Sequence, residues 1–69
     1  MKNLVVLGLL LRDRSISPLG WRNGDFSKKE IRRLTKKFKK DDDVLMGIAI
    51  DYRRIYPDKQ SVMVTLPEV

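Results

Sequence analysis

The alternation of apolar and polar positions divides the chain into four stretches. From residue 3 to 11 the chain carries Val5, Val6 and leucines at 4, 7, 9, 10 and 11, broken only by Gly8. A continuous apolar run of this length, with its valine pair, predicts a strand covered on both faces. One helix and one hairpin would cover only one of these faces. The other face is therefore expected to need a second copy of the chain, giving a homodimer through strand 3–11.

Residues 12–26 place Pro18, Gly20 and Gly24 among polar positions, which predicts a long loop with Trp21 as its anchor on the core. Residues 27–40 carry helical signals. Ser27 followed by Glu30 forms a capping box, and Phe26 with Ile31 occupies the positions of a hydrophobic staple. Ile31, Leu34 and Phe38 recur at helical spacing as a single apolar stripe, expected to be core. Residues 44–66 predict a hairpin. Val44–Tyr56 is rich in β-branched and aromatic residues, Pro57-Asp58-Lys59-Gln60 supplies turn chemistry, and Val62, Val64 and Leu66 alternate with Met63 and Thr65. The expectation is a single small α+β domain over residues 1–69. It has a three-stranded sheet in β-α-β-β order, packed against one basic amphipathic helix.

Charge changes this picture most. Segment 28–40 holds Lys28, Lys29, Arg32, Arg33, Lys36, Lys37, Lys39 and Lys40 against the single acid Glu30, a net charge of +7. The rest of the chain has seven basic and eight acidic residues, a net charge of −1. The whole positive excess of the +6 chain therefore lies on one helix. At about 100° per residue these side chains cover half the circumference or slightly more, opposite the apolar stripe. Like-charge pairs four apart, such as Arg32/Lys36 and Arg33/Lys37, cost a few tenths of a kcal/mol each. A polyanion laid along the face relieves that repulsion and releases counterions. The helix is thus expected to bind nucleic acid through Lys29, Arg32, Arg33, Lys36, Lys37 and Lys40. Docking on the acidic surface of a protein partner, as a small accessory or inhibitor protein, is the alternative. Arg53 and Arg54 follow Tyr52 on the predicted second strand, and Tyr52, Arg54 and Tyr56 would share one face there, a pattern suited to base and phosphate contact.

The absence of Cys and His excludes disulfides, thiolate or imidazole metal sites and Ser-His or Cys-His catalysis. Asp41-Asp42-Asp43 lacks the calcium-loop pattern, because Met46 stands where that loop needs glycine. No catalytic residue, metal or cofactor is expected. The apolar run 4–11 is preceded by Lys2 and followed by Arg12-Asp13-Arg14, where a signal peptide would carry small residues for cleavage. It is also far shorter than the ~20 residues that cross a bilayer. The expected location is intracellular and cytoplasmic, with no membrane partner.

Two stretches, "GDFSKKEIRRL" (24–34) and "MGIAIDYRR" (46–54), resemble successive segments of the large-subunit ribosomal protein family numbered thirteen-e. That family has a glycine-phenylalanine entry to a helix and then a Gly-Ile-x-Val-Asp-x-Arg-Arg element. Its members bind ribosomal RNA, so the resemblance implies RNA contact at Arg53 and Arg54 and favours RNA over DNA. This sequence departs from the family in carrying "KKFKKDDD" where the family closes its helix with Ala-Gly, and Ile55-Tyr56-Pro57 where further basic residues stand. The tail "VMVTLPEV" (62–69) is similar to the DNA-reading strand of ribbon-helix-helix repressors. The two helices that follow that strand have no counterpart here, and the expected fold does not use it.

Overall fold

A computed structural model describes residues 3–69; Lys2, used above against a signal peptide, lies outside the described residues. Three strands, β1 (Leu4–Leu11), β2 (Ile16–Asn23) and β3 (Val44–Asp51), form an antiparallel sheet in the order β2-β1-β3. Helix α1 (Lys28–Phe38) joins β2 to β3, and helix α2 (Lys59–Thr65) follows a 3-10 turn at Tyr52–Arg54. The chain is therefore a small α+β domain with a three-stranded sheet packed against the basic helix, as the pattern predicts. The element order is β-β-α-β-α, however, and not β-α-β-β.

Two stretches account for the difference. The loop expected over 12–26 is mostly strand β2. Its Pro18 and Gly20 mark irregularities of an edge strand. Leu7 pairs with Gly20 and Gly8 with Pro18, so Leu19 is bulged out between them. Proline is tolerated on an edge strand, where its missing N–H costs no ladder bond. Gly20 admits the tail closely: a Cβ there would meet a Val69 methyl and stand 3.0 Å from Pro67 C=O. Arg12, Asp13 and Arg14 turn β1 into β2. Arg14 N–H donates to Leu11 C=O at 3.0 Å, and Arg14 takes the left-handed conformation at φ 70°, the geometry of a three-residue hairpin loop.

The second stretch is the hairpin expected over 44–66. Only its first half is a strand. Asp51 caps the 3-10 turn by accepting from Arg53 N–H, and Asp58 caps α2 by accepting from Ser61 N–H at 2.6 Å. Val62, Val64 and Leu66 alternate in sequence, yet Val62 is fully buried and Val64 is 86% exposed. Val62 and Leu66, four apart, share one helical face. Packing of that face against the sheet overrides the β propensity of its residues.

Pairing assigns the faces of β1. Val5, Leu7 and Leu9 lie with Gly20, Gly47 and Ala49 on one face; Leu4 and Val6 lie with Trp21 and Ile50 on the other. Helix α1 covers the first face. On the second, Leu4, Val6, Trp21 and Val62 form the buried cluster, and Ile50, Tyr52, Ile55, Tyr56 and Leu66 pack around it. The cover that strand 3–11 seemed to need from a second copy is supplied in good part by α2 and the turn before it. β1 is also the central strand, with both edges paired. The premise of the dimer expectation is removed.

The outer edge of β2 is partly covered. The tail pairs with the outer edge of β2, where Trp21 N–H donates to Pro67 C=O and Val69 N–H to Trp21 C=O. Trp21 is buried at 7% exposure, and its indole N–H donates to Leu66 C=O at 3.0 Å. It is a core anchor, as expected, though on a strand.

Candidate nucleic-acid interface

The local sequence sets the start of α1. Ser27 accepts from Glu30 N–H at 3.2 Å, and the Glu30 carboxylate accepts from Ser27 N–H at 3.2 Å, completing the capping box. Phe26 is buried immediately before it. The helix closes at Phe38, so Lys39 is its C-cap and Lys40 stands in the turn beyond. The stripe of Ile31, Leu34 and Phe38 is half-buried, and no residue of α1 is fully buried. The expectation that this stripe is core is corrected in degree: the helix lies across β3, an edge strand, and the buried core belongs to the sheet and α2.

Two contacts fix α1 on β3. Gly47 admits the helix closely; a Cβ at Gly47 would stand 2.9 Å from a Leu34 methyl. Thr35 Oγ1 donates to Ile31 C=O at 2.9 Å and accepts from Gly47 N–H at 2.9 Å. One hydroxyl thus satisfies an outward N–H of the β3 edge, which would otherwise invite pairing with another chain. Sequence reading gives no sign of this role, since nothing in local spacing pairs Thr35 with Gly47.

With its apolar side held down, α1 turns its charge outward. Lys28, Lys29, Arg32, Arg33, Lys36, Lys37, Lys39 and Lys40 are all exposed. Among the described residues the ion pairs are Arg22–Glu30 at 2.9 Å and Arg53–Asp51 at 2.9 Å, and neither uses a cation of segment 28–40. The one acid of that segment is engaged elsewhere. Hydrogen bonding from Ser27 N–H, with help from Arg22, holds the Glu30 carboxyl below its ordinary value. Arg22 in turn lies over the Phe26 ring, 4.3 Å from its centroid. The surface therefore carries eight unneutralised cations along a helix about 16 Å long and the two residues past its end.

The other predicted site residues lie on the turn that covers the opposite face of the sheet. Arg53 and Arg54 lie on the 3-10 turn and not on a strand, so the shared face of Tyr52, Arg54 and Tyr56 does not form. Both tyrosines pack on the core cluster. Arg53 grips Asp51 through Nε at 3.2 Å and a terminal nitrogen at 2.9 Å. This pairing pulls the Asp51 carboxyl down to about 2 and raises the guanidinium. Register places Asp51 opposite Val5 and Val44 opposite Leu11. Arg53 and Arg54 therefore leave the sheet at the end where α1 begins. Arg12, whose N–H donates to Asp43 C=O at 2.8 Å and whose side chain reaches Asp42 C=O, stands at the end where α1 finishes. Arg53 is paired with Asp51 and the acidic run Asp41–Asp43 separates Arg12 from the helix, so the continuous cationic surface is that of segment 28–40.

No family model, curated protein or solved structure matches the chain. The chemistry of the face must therefore speak for itself. The Asp41–Asp43 run closes a turn, with Asp41 accepting from Asp43 N–H at 2.9 Å. Among the described residues no three acidic side chains gather as a metal site. No helix among them is long and apolar enough to cross a membrane.

Proposed function

We propose that this chain is a non-catalytic nucleic-acid-binding protein whose basic helix contacts the phosphate backbone. The observation that carries the reading is the outward face of segment 28–40, with eight exposed cations and no acid paired to them. The cations are spread along the helix and around it. That arrangement suits a repeating polyanion better than a single acidic spot on a protein. Lys29, Arg32, Arg33, Lys36, Lys37 and Lys40 form the main contact, and Arg53 and Arg54, on the far side of the sheet, are secondary contacts for a strand that passes its end. RNA is favoured over DNA by the likeness of residues 24–34 and 46–54 to the RNA-binding ribosomal family. Binding of this kind is tolerant of sequence, because phosphate contacts position a protein without reading bases.

The test is a binding series with mixed-sequence RNA and DNA oligonucleotides at about 50 mM salt, where backbone contacts are strong. Arg33→Gln and Lys37→Gln should weaken binding to a similar degree on every sequence. Dominance by one or two substitutions, with poor competition by nucleic acid, would instead assign the face to an acidic protein partner.

A further inference from the structure

We propose that the groove between α1 and β3 receives a base from a single-stranded nucleic acid while the cations on its rim hold the neighbouring phosphates. This inference rests on the function proposed above and adds to it the kind of strand the face prefers.

The groove is an open depression of about 410 Å³, lined by Ile31, Arg32, Thr35, Lys36, Lys39 and Met46. That is room for one face of a base, with the other face left to solvent. Its floor is apolar. Met46 is a large hydrophobic side chain left 44% exposed, and Ile31 is only half-buried. Its rim is wholly cationic, since Arg32, Lys36 and Lys39 are the charged residues that line it and all three are exposed. A second groove on the other flank of α1 is smaller, about 260 Å³, and includes Glu30 among its lining residues. The β3-side groove is the one that pairs an apolar floor with charge of a single sign.

A nucleotide has the matching chemistry, with a flat apolar-faced base and an anionic phosphate on either side. A duplex hides its base faces in the stack and offers only phosphates, so it engages the rim and leaves the floor empty. A single strand engages both, because an unstacked base can bury its apolar face against Ile31 and Met46. The floor offers little to read a base edge with. The Thr35 hydroxyl is committed to Ile31 C=O and Gly47 N–H. The groove therefore accepts any base.

The experiment compares a mixed-sequence oligoribonucleotide with the duplex it forms with its complement, at matched salt, on the full chain and on Met46→Gln and Met46→Leu. The single strand should bind the full chain roughly three- to tenfold more tightly than the duplex. Met46→Gln should remove that preference without changing the salt slope, because no charge is lost, and Met46→Leu should keep it. Circular dichroism checks that both variants fold, which the exposure of Met46 favours. Equal binding of single strand and duplex, unaffected by Met46→Gln, overturns the groove assignment and leaves the basic-helix reading standing. Equal weakening of both ligands by Met46→Gln overturns it as well. Failure of either nucleic acid to bind at low salt overturns both proposals together.

Discussion

The Thr35 hydroxyl joins α1 to the β3 edge by bonding Ile31 C=O and Gly47 N–H at once. Thr35→Val keeps the shape and removes the bond, leaving the Gly47 N–H of a buried glycine without its partner. The expected cost is about 1–2 kcal/mol, read from urea denaturation. An unchanged midpoint would mean that water replaces the hydroxyl freely. The carboxylates make a second prediction at this scale. Asp13, Glu30, Asp51 and Asp58 are each held below their ordinary values, chiefly by hydrogen bonds from Ser15, Ser27, Arg53 and Ser61 respectively. Groups depressed on folding favour the folded state while ionised. That contribution is fully present above the unfolded values of 3.8 for aspartate and 4.5 for glutamate, and is lost as pH falls through the folded ones. The melting temperature should therefore hold steady down to about pH 5 and drop between about 4 and 2. Asp51→Asn should flatten the lower part of that drop, since Asp51 titrates near 2 in the folded chain.

Elements were legible where local chemistry settled them and obscure where tertiary contact did. The start of α1 could be read from Ser27, Glu30 and Phe26, and β1 from its unbroken apolar run, because capping and burial leave marks within a few residues. β2 was hidden, since Pro18 and Gly20 read as loop residues until the bulge beside Gly8 and the approach of Val69 explain them. α2 was hidden for a related reason. Its alternation suits a strand, and contact with Leu4, Val6 and Trp21, together with the Asp58 cap, selects the helix. The exposed cations of segment 28–40 were legible from composition and helical spacing, whereas the end of the helix at Phe38, the turn that carries Arg53 and Arg54, Thr35 and the Met46 groove depend on tertiary structure. A pair of substitutions checks the register of α2. Val62→Ala should cost about 2–3 kcal/mol, as expected for a fully buried side chain. Val64→Ala should stay within about 0.5 kcal/mol, as for an exposed one. Similar costs at both positions would favour a strand, where they share a face.

At the scale of the whole molecule, the chain separates two tasks. The sheet, α2 and the tail hold the core, while α1, with no fully buried residue, carries the charge on its outer side. Charge removal on that face should therefore leave folding intact, or raise stability slightly by relieving like-charge pairs four apart. The measurement that bears most directly on the central claim is the salt dependence of nucleic-acid binding. With four to six of the eight cations reaching phosphates, the logarithm of affinity should fall against the logarithm of salt with a slope of about −3 to −5. Arg33→Gln should flatten that slope by about one. A slope near zero, or no binding to RNA or DNA at about 50 mM salt, would contradict the claim that this helix is a phosphate-binding surface.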